Sequence, residues 1–246
     1  MYEGVYVFAG VVIKIRSFYE TVQLLCSGYS SDRKPELLID LTYQDIEHER
    51  IKSNKNGKTN TTCGNYGNAY LETLAVYRKL AEALIPYNII LMHGSALMID
   101  GKGIVFLGSS GIGKSTQSRL WRETFGNRVR MINDDKPLVG ITGENAVVFG
   151  TPWDGKHHLS SNSSAVIKAI CFIERADHNL INRIDSGAAF FQLIGHTHRV
   201  NDPELLRKEM KLLDNMSAIV DFYRLECNIE KEAAIAAYQK IFEERT

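Results

Sequence analysis

A glycine-rich run at residues 108–116, GSSGIGKST, constrains this chain more than any other feature of its sequence. Gly108, Gly113, Lys114 and Ser115 have the spacing with which backbone N–H groups wrap a phosphate. Apolar residues 104–107 precede the run as a strand, and a helix can begin near Lys114, so the helix N-terminus would face the phosphate. The run, called the phosphate loop below, predicts nucleotide-phosphate binding by Gly108, Ser109, Ser110, Gly111, Ile112, Gly113, Lys114, Ser115 and Thr116.

Composition narrows the class of protein. The chain has 246 residues, 44% of them hydrophobic, which is enough to bury a substantial core. Lys plus Arg and Asp plus Glu both number 29, so no overall field attracts nucleic acid or a membrane surface. The four cysteines lack metal-ligand spacing, as is typical of reduced thiols in a cytosol, and the apolar residues 2–15 are too short to span a bilayer. We therefore expect a cytoplasmic protein whose partners include neither nucleic acid nor membrane.

Hydrophobic patterning predicts an α/β chain with two parts. Residues 5–15 and 37–42 are typical of strands, and residues 52–68, rich in Lys, Asn, Gly and Thr, are typical of a loop or hairpin tip. Helical patterns occupy residues 18–26, 70–85 and 230–243. We predict a small α+β N-terminal lobe, residues 1–88, that serves as a substrate or partner region. Residues 89–246 would form the domain that carries the phosphate loop.

The strand that leads into the phosphate loop has a neighbour directly before it. Residues 95–99 and 103–107 are apolar, and Asp100-Gly101 lies between them, which is a strong hairpin signal. In the commonest proteins with such a loop, the loop-bearing strand belongs to a wholly parallel sheet. The sequence therefore predicts a mixed, partly antiparallel sheet and an unusual subclass.

Residues 93–139 resemble the HPr kinase/phosphorylase and ATP-dependent phosphoenolpyruvate carboxykinase superfamily. The resemblance rests on the pair His93-Gly94, the hairpin, the phosphate loop and a strand that ends in Asp134-Asp135. It implies a P-loop kinase core of that type, which uses ATP and Mg²⁺. The blocks at residues 133–137 and 150–156 are similar to those of shorter HPr-kinase-like proteins of bacteria, some of which phosphorylate free serine or a ribosomally made peptide. The Glu-x-Arg-Gly-x-Gly element of true HPr kinases is missing from the sequence.

The resemblance also implies roles for individual residues. Lys114 would hold the β- and γ-phosphates, and Ser115 and Asp135 would ligate Mg²⁺. Asp134 would be the general base that deprotonates an acceptor hydroxyl, and His93 would lie near the transferred phosphate.

The residues support these roles on their own chemistry. Neighbouring carboxylates on an extended segment point to opposite sides, so one can meet a metal and the other an acceptor only if the chain turns there. The alternative for this pair of aspartates is a capped strand end at which both acids are solvated. Lys156 could neutralise phosphate, and Arg119 and Arg122 could reach a nucleotide or an anionic acceptor.

Other residues near these blocks have less specific signals. Asp154 could bind metal, and Trp153 could shield the site or stack on a base. Arg175 and Arg199 are candidates for a phosphate clamp, and no spacing argument chooses between them. The pairs His157-His158 and His196-Thr197-His198 lack the accompanying ligands of a zinc site.

We predict an ATP-dependent phosphotransferase whose acceptor is a hydroxyl, most simply the serine of a small molecule, peptide or protein. Two alternatives remain: a regulatory nucleotide-binding NTPase or switch without an acceptor, and a carboxykinase-like lyase. The sequence leaves open the acceptor, the choice among ATP, GTP, ADP and pyrophosphate, and whether the chain forms a homo-oligomer.

Overall fold

The computed structural model describes residues 1–57 and 66–243, which divide into the compact units Met1–Leu84 and Ile85–Thr246. The first unit has a three-stranded sheet in the order β1-β2-β3, with β1 antiparallel and β3 parallel to β2. Its elements are β1 (Tyr2–Phe8), β2 (Val11–Ser17), α1 (Thr21–Cys26), β3 (Leu37–Asp40), α2 (Tyr43–Gly57) and α3 (Asn68–Leu84).

Two predictions for the first unit need correction. Residues 5–15 are not one strand but a hairpin, because Ala9 and Gly10 adopt φ angles of 49° and 90° and reverse the chain. The predicted loop at residues 52–68 is wrong for residues 52–57, which belong to α2, while residues 58–65 lie outside the described residues. Polar residues can extend a helix that is anchored elsewhere, and Arg78 anchors α2 through ion pairs with Asp45 and Glu49 at 2.9 and 2.8 Å. The helix predicted at residues 70–85 is confirmed as α3.

The second unit is built on one mixed sheet of nine strands. Its elements are β4 (Ile89–Leu91), β5 (Ser95–Ile99), β6 (Lys102–Leu107), α4 (Lys114–Phe125), β7 (Val129–Asn133), β8 (Leu138–Thr142), β9 (Asn145–Phe149), β10 (Ser164–Arg175), β11 (Leu180–Ile184), α5 (Ser186–Ile194), α6 (Pro203–Ile219), β12 (Asp221–Cys227) and α7 (Lys231–Tyr238). A π-helical turn, Gln239–Glu243, follows α7. The helix predicted at residues 230–243 is therefore α-helical in its first part and π-helical in its last.

The predicted hairpin before the phosphate loop is confirmed. Asp100 and Gly101 have φ angles of 48° and 77° and join β5 to β6 in antiparallel register. Strand β5 also pairs antiparallel with β7, so β6 and β7 run in the same direction on its two sides. Strand β10 is parallel to both β6 and β12, and the sheet is therefore mixed, as expected. The carboxyl ends of β6, β7, β10 and β12 consequently meet at one edge of the sheet.

Helices cover both faces of this sheet. Side chains of β6 alternate between two cores: Val105 and Leu107 lie in one, and Ile104 and Phe106 lie in the other. The first core includes buried residues of α5 and α6, and the second includes buried residues of α4 and α7. Such a near-continuous apolar strand is what burial on both faces requires. In residues 1–57 and 66–243, no helix combines the length and apolarity needed to cross a membrane.

Candidate phosphate and carboxylate site

The phosphate loop joins the end of β6 to the start of α4, as its spacing predicts. Gly108, Gly111 and Gly113 have φ angles of 149°, 76° and 129°, conformations that side chains with a Cβ rarely adopt. These glycines let the backbone curl tightly before the helix begins at Lys114. Residues 109–111 are exposed, so the loop can receive a ligand from solvent.

Lys114 closes the loop from within. Its side chain is buried, and Nζ donates to the carbonyl oxygens of Gly108 at 2.9 Å and Ser109 at 3.1 Å. Burial lowers the pKa of Lys114, while the negative charges of Asp135 and Asp134 act to raise it. The lysine therefore lies within electrostatic range of both aspartates. Ser115, the next residue, is exposed at the first turn of α4.

Strand β5 brings the two aspartates to the same edge as the phosphate loop. Residue Asn133 ends β7, and its Oδ1 accepts from the backbone N–H groups of Asp135 at 2.8 Å and Lys136 at 2.6 Å. This is an Asx turn, in which a side chain reverses the backbone that follows it. Two neighbouring carboxylates can serve one site only if the chain turns between strand and loop. The structure has such a turn, and the Asn133 side chain forms it.

Asp134 is buried, and a hydrogen bond reaches only one of its two carboxylate oxygens among the described residues. Its Oδ1 accepts from Ser95 Oγ at 2.9 Å, and Ser95 Oγ lies 2.5 Å from Ser118 Oγ on α4. Its Oδ2 is buried and has no hydrogen-bond partner among the described residues. A Cβ added at Gly155 would lie 3.0 Å from Oδ2, so the backbone at residue 155 lies against this oxygen. A buried carboxylate oxygen without a donor is costly unless a cation or a proton reaches it.

Asp135 is more exposed, and an imidazole and an ammonium group lie beside it. Its Oδ1 lies 3.0 Å from His93 Nε2 and 3.1 Å from Lys136 Nζ. Burial raises the pKa of Asp135, but the hydrogen bond from His93 and the charge of Lys136 outweigh it and bring the pKa below its usual range. Asp135 is therefore ionised at neutral pH. The structure brings His93, Lys114 and both aspartates together.

In the segment 150–161, Trp153 and Asp154 contact neighbouring protein groups, whereas the sequence suggested contacts with a base and a metal. Trp153 is 8% exposed, and its carbonyl oxygen accepts from the Asn133 side chain at 3.2 Å. Asp154 Oδ2 accepts from Ser160 Oγ at 2.9 Å, and its Oδ1 lies 3.1 Å from His158 Nδ1. These contacts stabilise the segment. Lys156 is exposed.

Arg175, at the end of β10, contacts the phosphate loop but not in the manner of a phosphate clamp. Its Nε donates to the carbonyl oxygen of Ile112 at 3.0 Å, and its Nη2 donates to that of Gly111. These two hydrogen bonds hold the loop in place, and they use its carbonyl oxygens and not its N–H groups. Arg175 is thus a support of the loop.

Two cavities flank the start of α4. One has a volume of about 290 Å³ and is mostly apolar; its lining is Ile112, Gly113, Thr116, Gln117, Ile173, Arg175, Ala176, Cys227, Asn228 and Ile229. The other has a volume of about 390 Å³ and is more polar; its lining is Ser115, Thr116, Arg119, Arg122, His157 and Leu159. They are called the apolar cavity and the basic cavity below, and Thr116 lines both.

Sequence reasoning missed three residues of this site. Ser95 and Ser118 hold Asp134, and Ser118 had a signal: it is a polar residue four positions after Lys114, on the buried face of α4. His196 was considered only for zinc, yet its carbonyl oxygen accepts from the backbone N–H of His93 at 2.7 Å. Burial lowers the pKa of His196 to about 4, and the charges of Lys114 and His93 act in the same direction. No sequence spacing joins residue 196 to this site.

Comparisons with known proteins add little. A scan against protein-family models finds no match, and a search of curated proteins finds none either. Among solved structures, the chain is similar to the structure of the Hpr(Ser) kinase/phosphatase from Coxiella burnetii, at 10% identity and a TM-score of 0.34. The matched region covers 63% of this chain and 99% of that chain. At that TM-score the similarity carries no conclusion about activity, which has to come from the contacts of this chain's own residues.

Proposed function

We propose that this chain is a phosphotransferase with an HPr-kinase-like P-loop core, which moves the γ-phosphoryl group of ATP to a hydroxyl acceptor. The acceptor is a serine or a serine-like hydroxyl of a small molecule, peptide or protein. One observation carries the proposal. The phosphate loop and the buried carboxylate of Asp134, whose Oδ2 has no partner in the part of the chain that the structure describes, lie at one sheet edge and are joined through Ser95 and Ser118. Phosphoryl transfer needs this combination, a phosphate cradle and a carboxylate for the acceptor proton.

The donor phosphates would lie in the phosphate loop. Backbone N–H groups at the start of α4 provide its hydrogen bonds, and Lys114 can exchange its carbonyl partners for β- and γ-phosphate oxygens. The apolar cavity fits the nucleoside, because Ile112, Ile173 and Ile229 offer apolar surface to a base beside the loop.

The residues fit Mg²⁺ as a companion of the phosphates. Within residues 1–57 and 66–243, no cluster of three or more His, Cys, Asp or Glu side chains could hold a metal by itself. Mg²⁺ commonly binds through one or two protein ligands together with substrate phosphates. The Ser115 hydroxyl and the ionised Asp135 carboxylate match that pattern, and Lys156 could add positive charge. When bound, Mg²⁺ would neutralise charge on the phosphate oxygens.

Asp134 is our candidate for the general base. Ser95 fixes Oδ1, which leaves Oδ2 to accept a proton once the glycine backbone at residue 155 moves aside. The acceptor oxygen would bond to the γ-phosphorus as the bond to the β–γ bridging oxygen breaks. The acceptor proton would pass to Asp134, and ADP would leave.

The test follows the label from γ-labelled ATP and Mg²⁺ in the presence of serine, serine-containing peptides and a fractionated bacterial extract. We expect transfer to an acceptor. Asp134→Asn should lower turnover by orders of magnitude with ATP affinity nearly unchanged, whereas Lys114→Met should weaken productive binding of the phosphates. Asp177→Asn, at a fully exposed side chain, is the matched control.

Three outcomes would contradict parts of the proposal. Label released only as phosphate would favour a regulatory NTPase, and nucleotide-dependent CO₂ exchange would favour a lyase. Full activity of Asp134→Asn, with loss of activity in Asp135→Asn, would exchange the roles of the two carboxylates.

A further inference from the structure

We propose that the phosphate acceptor is a small anionic molecule, whose carboxylate or phosphate ester binds in the basic cavity beside α4. This inference rests on the proposed phosphotransfer and names the substrate class for it. The basic cavity lies beside the phosphate loop and has only Thr116 in common with the lining of the apolar cavity.

The helix aligns the cavity with the transfer site. Ser115, Arg119 and Arg122 are spaced by four and three residues, so they share one face of α4. Lys114, Gln117 and Trp121 are buried on a different face. Arg122 lies seven residues beyond Ser115, roughly 10 Å along the axis. A molecule that contacts both ends is therefore the size of a small metabolite.

The charge of the cavity selects an anion. Two arginines and a histidine are among its six lining residues, and none of the six carries a carboxylate. Arg122 Nε is buried and has no hydrogen-bond partner among the residues that the structure describes. Arg119 pairs with Glu123 at 2.8 Å, but both side chains are exposed, and such a pair is weak enough to exchange. Arginine is the residue best suited to bind carboxylates and phosphates through paired donors.

Two lining residues of the cavity belong to the segment that lies against the proposed base. His157 and Leu159 line the cavity, and they follow Gly155, whose backbone lies beside Asp134 Oδ2. An acceptor with its anion at the arginines would have its other end between Ser115 and this segment. Binding of the anion would then direct the hydroxyl towards the phosphate loop and Asp134.

Size favours a small molecule over a folded protein. The volume of about 390 Å³ is at the lower end of the range for small-molecule sites, roughly 300–1,000 Å³. The nucleotide does not compete for this space, because the apolar cavity on the other side of Thr116 offers the surface that a base requires.

The experiment uses the full chain, γ-labelled ATP and the small-molecule fraction of a bacterial extract as acceptor. One portion is left untreated, one is amidated with carbodiimide and methylamine to neutralise carboxylates, and one is treated with phosphatase that is then removed. We expect label transfer to the untreated fraction and its loss after treatment: loss on dephosphorylation identifies a phosphate ester, whether or not amidation also abolishes transfer, and loss on amidation alone identifies a carboxylate.

Variants separate the acceptor from the donor. Arg122→Gln should raise the KM for the acceptor fraction by about tenfold or more while the KM for ATP stays within about twofold. Arg119→Gln, at an exposed position, should act in the same direction and guards against misfolding of the first variant. Arg207→Gln, exposed on α6, is the control and should change neither constant.

Each other outcome overturns the inference. Transfer that survives both treatments, or a rise in the KM for ATP without one for the acceptor, would contradict the basic cavity as an acceptor site and leave phosphotransfer intact. If no fraction accepts label although ATP binds, the proposed function fails as well.

Discussion

Ser95→Ala tests whether the Ser95 hydroxyl stabilises the buried carboxylate of Asp134. Ser95 is fully buried, and its Oγ is the donor to Asp134 Oδ1 at 2.9 Å. The variant leaves both oxygens of Asp134 without a donor among the described residues. A hydrogen bond to a charged group is worth about 1.5–3 kcal/mol, and a buried acceptor that loses its partner is left with its full desolvation cost. We therefore expect the free energy of unfolding to fall by about 1.5–3 kcal/mol.

The assay can report the second unit alone. The chain has two tryptophans, Trp121 and Trp153, and both lie in Ile85–Thr246. For a unit of that size, 1 kcal/mol shifts Tm by roughly 2–4 °C, so a melt followed by tryptophan fluorescence should shift down by about 3–12 °C.

Ser118→Ala is the matched control, because it removes a hydroxyl from the same chain of contacts and leaves the bond from Ser95 to Asp134 in place. It should cost about 0.5–1.5 kcal/mol. A Ser95→Ala shift of under about 1 °C, or one equal to that of Ser118→Ala, would refute the reasoning.

Three further perturbations have defined outcomes. Arg175→Met removes two donors to loop carbonyls, so ATP affinity by calorimetry should fall about tenfold, with partial recovery in Arg175→Lys; unchanged affinity would deny the supporting role. Gly150→Ala would set a Cβ 1.9 Å from the carbonyl oxygen of Ser161, so the fluorescence melt should show a loss of about 3 kcal/mol or more, and a native-like melt would contradict the packing. Burial lowers the pKa of His196 from 6.5 to about 4, so the unfolded chain binds more protons between these pH values. The free energy of unfolding should therefore fall as pH drops from 6.5 to 4 and stay level above 6.5 as far as this group is concerned, and His196→Asn should flatten that fall in urea titrations.

Local patterns predicted the hairpin, the phosphate loop and the pair of aspartates because each of them is set by residues that are neighbours in the chain. The Asp100-Gly101 turn fixes β5 against β6, and the glycines of the phosphate loop have backbone angles that few other residues adopt. The Asp134-Asp135 pair follows directly from the end of β7. Each of these features depends on a few neighbouring residues, and can therefore be predicted from the sequence.

The remaining contacts depend on tertiary structure. His196 reaches His93 across a gap of about a hundred residues, and Arg175 reaches the phosphate loop only because β10 pairs parallel with β6. Neither pairing has a sequence period that predicts it. The misplaced loop at residues 52–57 has another cause, since composition alone does not distinguish a solvated helix from a loop.

The hydrogen bonds of Lys114 within its own loop bear on how quickly the loop could take up the nucleotide that the proposed function requires. Because Nζ already bonds to the carbonyl oxygens of Gly108 and Ser109, the curvature of the loop is held from inside and does not wait for a phosphate. An arriving nucleotide would exchange partners at the ammonium and would not have to order the backbone, so little conformational entropy would be lost on association. Capture would then be governed by diffusion and by charge, and its rate would decline as ionic strength rises.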